Sequence, residues 1–435
     1  ILDIDESYGK FDYIICHGVY SWVPEVVRDK ILAICSANLN PNGVAYVSYN
    51  TYPGWRMRGM IRDMMKYHAN RFPTPEQRVA QARGLLDFLA NSLAPGRESP
   101  NIMMKSYSLM LQGEVESLRA QPDYYLLHEH LETVNDPVYF HEFMESAEKY
   151  GLQYLGEADF FLMLLAHLAP EIRDTLTRIS GNLIQMEQYM DFVRNRLFRR
   201  TLLVHAGLKI TRNVQPEMVK DLYIASEAKA TVPDPDLRTP DTLVEFKTPQ
   251  GGLISSTNPI TKSAFMALYE NSPKPLHFEQ LRRLARKKLS GTKSDDRELA
   301  ASDSQELASN ILSTYASNAI SLHTGNITIP TTIPHRPKVT TYVRYQASIR
   351  GYIASALHLR INIDEFGFQL LPKLDGTRDR ATLLNEMIEL ATSGKLPCKI
   401  EDETVTDEVI IKKIVKDSLD GALAFYRTVG LLLEK

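Results

Sequence analysis

The sequence predicts an α/β fold: a partly parallel sheet followed by mostly helical and winged-helix-like modules. Three observations carry this. Residues 11–16 (FDYIIC) form a short, apolar, β-rich run, the pattern of a strand buried on both faces. Pro24 opens a segment in which Val27, Ile31 and Ile34 recur at helical spacing. Residues 44–49 (VAYVSY) repeat the strand pattern after the turn Asn40-Pro41-Asn42-Gly43. Strand, helix and strand in that order imply a parallel pair joined by a right-handed crossover.

The chain's two tryptophans, Trp22 and Trp55, lie just beyond these two runs. Ligands of open α/β sheets bind outside the carboxyl ends of the parallel strands. His17, Gly18, Tyr20 and Trp22 after the first run therefore become site candidates. Tyr49, Asn50, Tyr52 and Trp55 after the second join them. Aromatic walls hold a lysine ammonium by cation–π contact. They also desolvate the amine, lowering its pKa from about 10.4 and freeing the lone pair. The same side chains suit a hydrophobic lid or core equally well. His17 suits proton transfer or a plain backbone hydrogen bond.

Composition narrows the function classes. A chain of 435 residues predicts about two to four domains. A net charge of −3 argues against nucleic acid as the main partner. The apolar run at 160–168 is far short of the roughly 18 residues that span a bilayer. Cys16, Cys35 and Cys398 show no Cys-x-x-Cys spacing, which suggests reduced thiols, a cytoplasmic setting and no cysteine-bound zinc. His128-Glu129-His130 and His141-Glu142 lack the His-Glu-x-x-His spacing, so no metal is expected.

Along the chain, residues 1–165 read as the sheet domain, with a helical insertion at about 57–118. Residues 123–131 suit either a strand or a short helix. Asp136-Pro137 starts a helix with Phe140, Phe143, Met144 and Ala147 on one face, and 152–158 is a later strand of the sheet. Residues 166–255 read as a helical middle domain, 256–335 as a winged-helix-like module and 336–435 as a C-terminal α+β domain. Within these, 170–206 reads as helical, with Arg194, Arg196, Arg199 and Arg200 on a salt-bridged face or as a clamp for an acidic partner. A helix is expected from Pro216 to Ala225, a loop over 291–305, a proline-rich link at 330–337 and an amphipathic helix pair over 408–433.

The order of Phe11-Asp12, apolar pair, helix, Leu39-x-Pro41-x-Gly43 and strand resembles the second half of a Rossmann-like class I S-adenosylmethionine-dependent methyltransferase. FDYIICHGVYSWVP, DYYLLHEHLETVNDPVYFHEF, EKYGLQYLGEADF and EQYMDFVRNRLFRRTLL resemble methyltransferases that carry a regulatory domain. That group includes bacterial, rickettsial-type outer-membrane-protein lysine methyltransferases. The resemblance implies S-adenosyl-L-methionine as cofactor and lysine side chains of a protein as acceptor, such as a surface or outer-membrane protein before export. It implies that Asp3 sits near the adenine amino group, Ile4 against the ring, and His17 and Gly18 beside the methionine moiety. Tyr20, Trp22, Tyr49, Tyr52 and Trp55 would line the acceptor side.

In that family a Gly-rich loop and a ribose-binding acid precede the segment matching Phe11. Neither is found before Phe11, so the expectation is a fragment that holds half of the cofactor site and binds weakly alone. The insertion would cover the substrate or form a homodimer contact, and the C-terminal half would position a large acceptor. Two other readings stay open: methylation of a small molecule or lipid, and a non-catalytic substrate-binding or scaffolding module.

Overall fold

The computed structural model describes residues 1–290, 297–400, 403–405 and 407–434. The chain divides into two compact units, 1–212 and 213–435. In the first, strand β1 (Phe11–Cys16), helix α1 (Glu25–Asn38) and strand β2 (Leu39–Asn50) form the expected crossover, with Tyr13 opposite Val44 and Cys16 opposite Val47 in parallel register. Strand β3 (Leu152–Glu157) and strand β4 (Phe198–His205) complete a four-stranded sheet in the order β1-β2-β4-β3. Both contacts of β4 are antiparallel.

Three expectations change here. Residues 198–205 are a strand and not the end of a helical stretch. Arg199, Thr201 and Leu203 are buried while their neighbours are more exposed, the period of two that a strand imposes. Because β4 lies between β2 and β3, the expected limit at 165 falls inside the sheet. Strand β1, expected to be buried on both faces, has β2 as its one partner strand among the described residues, and Phe11, Tyr13 and Ile15 are exposed along it.

The sheet core joins Leu32 of α1 and Ala45, Val47 and Tyr49 of β2 to Phe140, Phe143 and Leu152. After β2 an insertion forms four helices: α2 (Gly54–Ala69), α3 (Pro75–Leu93), α4 (Ile102–Arg119) and α5 (Asp123–Leu131). Residues 123–131 are thus helical. Ile61, Met65, Leu86, Leu111, Leu118 and Leu126 give the insertion its own core. Helix α3 has Pro75 in its first turn and Thr74 Oγ1 accepting from the Gln77 N–H. Helix α6 (Phe140–Glu148) begins later than Asp136, because Tyr139 is still extended; its N–H donates to Glu142 Oε2 at 2.9 Å. Helices α7 (Pro170–Ile179) and α8 (Leu183–Arg194) follow, and Asn195, at φ 48°, turns the chain into β4.

The second unit holds two cores. One packs strand β5 (Tyr223–Ala225) and the β-hairpin near 244–256 against helix α9 (Pro259–Asn271), helix α10 (Phe278–Ser290) and helix α11 (Arg297–Ala316). The expected helix at 216–225 is instead a single 3-10 turn, Pro216–Val219, leading into β5. The expected loop at 291–305 is helical from Arg297 onward; residues 291–296 lie outside the described residues. The other core unites α12 (Thr341–Ser348), α13 (Glu365–Leu370), α14 (Arg380–Thr392) and α15 (Glu408–Thr428). Helix α15 is one continuous helix, not a pair.

Candidate functional site

The carboxyl ends of β1 and β2 carry the candidate site. Gly18 leaves β1 at φ +67°, where an added Cβ would meet nothing within 4 Å. Its N–H donates to Ser48 Oγ at 2.9 Å. His17 is exposed, and its Nδ1 lies 3.0 Å from both Tyr46 Oη and Ser48 Oγ. Where either hydroxyl donates, Nδ1 is the acceptor and the neutral ring carries its proton on Nε2. The histidine is then suited to orienting a ligand oxygen more than to abstracting a proton.

The six aromatic and histidine candidates separate. Tyr20 and Tyr49 belong to the core, 4% and 1% exposed. Tyr49 stacks on Phe143 with ring centroids 4.2 Å apart and shares a 2.9 Å hydrogen bond with Thr201 Oγ1. Tyr20 meets Phe143 edge-on at 5.2 Å. Burial pushes the Tyr20 phenol up to about 12 and Tyr49 well above its ordinary value. Neither is a wall of an open site.

Trp22 and Trp55 come together edge to face, centroids 6.4 Å apart, and the half-buried Trp22 also lies 4.4 Å from the His128 ring. Trp55 itself is 3% exposed, so it backs Trp22 from beneath. Tyr52 is half-buried, with the Arg56 guanidinium 3.9 Å over its ring and Tyr139 5.2 Å away. Asp3 is exposed and Ile4 half-buried in the turn before β1.

Sequence reasoning missed what fixes these loops. The Asn50 N–H donates to Ser21 Oγ at 2.9 Å, which ties the β2 loop to the β1 loop. The Asp136 N–H donates to the Ser21 carbonyl at 2.8 Å, and Arg28 pairs with Asp136 at 2.6 Å. The turn that presents Tyr52 and Trp55 hangs on the entry to β4. Thr51 N–H donates to the Leu197 carbonyl at 2.9 Å and Gly54 N–H to the Arg196 carbonyl at 3.0 Å. A Cβ on Gly54 would stand 2.5 Å from that same oxygen, so only glycine allows the approach.

Behind this turn lies a buried charge cluster. Arg199, fully buried, donates to Asp191 Oδ2 at 2.8 Å, Glu187 Oε2 at 3.0 Å and Glu157 Oε2 at 3.2 Å, while Arg196 reaches Glu157 Oε1 at 3.0 Å. Burial raises all three carboxyls, and the two arginines oppose it. The sequence signal was present: Glu187 and Asp191 stand one helical turn apart, and alternation over 198–205 turns Arg199 inward.

His128, Glu129 and His130 sit on helix α5, so they point apart. His130 is fully buried, 3.9 Å from Glu114, and burial together with Arg58 and Arg62 holds it down at about 4. Among the described residues no group of three or more His, Cys, Asp or Glu side chains could hold a metal ion, and no helix is long and apolar enough to cross a membrane.

Comparisons with known proteins agree with this layout. Residues 122–205 match the model of a predicted methyltransferase regulatory domain, and residues 335–431 match a PKMT C-terminal winged helix domain. The winged-helix match therefore covers the segment expected as a C-terminal α+β domain. An uncharacterized Rickettsia prowazekii protein is 36% identical over 95% of this chain and 73% of its own length. An uncharacterized Synechocystis protein is 29% identical over 48% of this chain and 40% of its own length. The structure of PKMT2 from Rickettsia typhi superposes with a TM-score of 0.85 at 33% identity, over 99% of this chain and 82% of that one. The same protein in complex with AdoHcy gives 0.86 at 34% identity, with the same coverage. A likeness to PKMT2 over 99% of this chain, together with the regulatory-domain and PKMT winged-helix matches and the 36% identical relative, means that the chain belongs to the PKMT-type family of methyltransferases.

Proposed function

We propose that this protein transfers a methyl group from S-adenosyl-L-methionine to the side-chain amine of lysines in an acceptor protein. The observation that carries the reading is the pairing of Trp22 with Trp55 across the ends of the two parallel strands, in a family whose solved member was crystallised with AdoHcy. When bound, the cofactor supplies an electrophilic methyl carbon on a sulfonium. The residues present fit its methionine end: Gly18 leaves open ground at the strand end, and His17 offers a donor beside it.

What this chain contributes is position and desolvation. The half-buried Trp22, braced by Trp55, gives the acceptor amine a cation–π face that also strips water from it. A desolvated ammonium gives its proton to water more readily, and the freed lone pair is the nucleophile. With the cofactor bound, the amine nitrogen would take the methyl carbon while the electron pair of the broken carbon–sulfur bond stays with sulfur. Asp3 and Ile4 bind the adenine in this reading, and the second unit recruits the acceptor. The acceptor is a surface or outer-membrane protein met in the cytoplasm before export.

The test is to incubate the full-length protein with methyl-labelled cofactor and candidate surface proteins, then locate the label by mass spectrometry. Label on lysine Nε is expected. Label confined to a lipid or small-molecule extract would overturn the reading.

A further inference from the structure

Helices α6 and α8 enclose a groove of about 440 Å³ on the first unit, lined by His141, Glu145, Glu148, Gln188, Tyr189 and Phe192 among others. No step described above uses it. Gln188 is 6% exposed. Its Oε1 accepts from the His141 backbone N–H at 3.1 Å and lies 3.0 Å from His141 Nδ1. That backbone donor fixes which end of the amide is the oxygen. The other end, Nε2, is buried and has no hydrogen-bond partner among the described residues. An unmatched amide donor is costly, and a ligand carbonyl would satisfy it.

The rest of the lining states what else the ligand carries. Glu145 and Glu148 are exposed, one helical turn apart, and form no ion pair among the described residues. Phe192 is 46% exposed, an aromatic face without a core to fill. Carboxylates beside open aromatic faces favour a cation. The aromatic lining is also continuous with the candidate site. Tyr189 meets Phe192 at 6.1 Å, Phe192 meets Tyr139 at 6.0 Å and Tyr139 meets Tyr52 at 5.2 Å. Tyr52 stands in the turn that presents Trp55.

We propose that the α6–α8 groove is a docking subsite for an extended basic segment of the acceptor protein, away from the lysine being methylated. A backbone carbonyl of that segment accepts from Gln188 Nε2. A lysine or arginine lies on Phe192 and Tyr189 beside Glu145 and Glu148. The aromatic line through Tyr139 leads the chain to Tyr52 and the tryptophans. This deepens the lysine-methylation reading and rests on it for the identity of the ligand. Binding energy gained here would be spent on orienting the acceptor at a remote centre.

The test measures binding, so it stands apart from catalysis. A fluorescein-labelled dodecapeptide of alternating Arg and Ala is titrated into the full-length protein and followed by anisotropy, with a Glu-Ala dodecapeptide as control. Glu145→Lys combined with Glu148→Lys should weaken the basic peptide at least tenfold. Gln188→Met, which leaves the charge unchanged, should weaken it severalfold. Charge reversal far from the groove, at the exposed Glu76 and Glu98, should change it less than twofold. Thermal melting confirms that each variant is folded; the exposed glutamates secure the test if Gln188→Met is not. No binding of the basic peptide by the wild type, or equal weakening by the remote reversal, overturns the groove. If the peptide binds as expected but mass spectrometry finds no methylated lysine, the groove stands and the assigned reaction fails.

Discussion

Tyr20 and Trp22 lie just past the end of β1, and Tyr49 and Tyr52 at and just past the end of β2, yet the members of each pair have opposite fates. Tyr20 and Tyr49 are core, while Trp22 and Tyr52 are half-buried at the loop surface. Residue type and position are nearly the same; the backbone decides the difference. Along β2, Ala45, Val47 and Tyr49 face the helix that carries Phe143, whereas Tyr46 and Ser48 face His17. In the other loop the 3-10 turn Tyr20–Trp22 rotates its ends apart, sending Tyr20 inward to Phe143 and Trp22 toward His128. An aromatic after a strand marks the neighbourhood of a site; parity marks which side of the sheet it serves.

This contrast can be broken most forcefully from the core side. Arg199 pairs opposite Tyr49 in the ladder and neutralises three buried carboxylates. Arg199→Leu should lower unfolding stability by about 3–5 kcal/mol, because it leaves buried charge without a partner. Chemical denaturation would check this, and a loss under about 1 kcal/mol would mean that the cluster is solvated in solution.

The insertion supplies a buried group of the opposite kind, one without a hydrogen bond. His130, facing Glu114, Arg58 and Arg62, has its pKa lowered from 6.5 to about 4 by burial and by the two arginines. The unfolded imidazole takes up a proton that the folded one refuses. Stability is therefore intact above pH 6.5 and falls as pH drops toward 4, by on the order of 3 kcal/mol. Between pH 7 and 4 wild type should lose stability relative to His130→Leu, by on the order of 3 kcal/mol, whatever their difference at pH 7. Parallel curves would show that His130 is charged, or hydrated, in the folded state.

Smaller still is the effect of Tyr49→Phe. It keeps the stack on Phe143 but strands the Thr201 hydroxyl, at a cost of about 1–3 kcal/mol. Trp22→Ala should have the least effect on stability, under about 1.5 kcal/mol for a half-buried loop residue. It should nevertheless reduce methyl transfer by the full-length protein at least tenfold. If Trp22→Ala melts as low as Arg199→Leu and turns over normally while folded, the two sides of the contrast collapse into one core.

Much of this was legible before any coordinates. The crossover from β1 to β2 followed from two apolar runs and a proline-initiated helix. Both tryptophans were placed together because strand ends converge in this fold. What was not legible depends on non-local pairing. Residues 198–205 carry three arginines or histidines among apolar neighbours, and only the gap between β2 and β3 makes them a strand. With β4 misread, the buried Arg199 cluster and the carbonyls that hold Thr51 and Gly54 were invisible. The β1 run was read as buried on both faces because it is apolar, yet among the described residues Ile14 and Cys16 pack on the sheet core while Tyr13 and Ile15, on the opposite face, are exposed.

The tryptophans themselves offer the most direct test of the acceptor site. Trp22 and Trp55 are this chain's two tryptophans and both belong to the candidate site, so the part of the emission change that Trp22→Phe removes reports on it. The full-length protein is first saturated with S-adenosylhomocysteine and then titrated with a short lysine peptide and its norleucine counterpart. The lysine peptide should shift or quench the emission saturably, the norleucine peptide should do neither, and Trp22→Phe should remove most of the change. Lysine-peptide binding seen by calorimetry with no change in emission would contradict an acceptor site at Trp22 and Trp55.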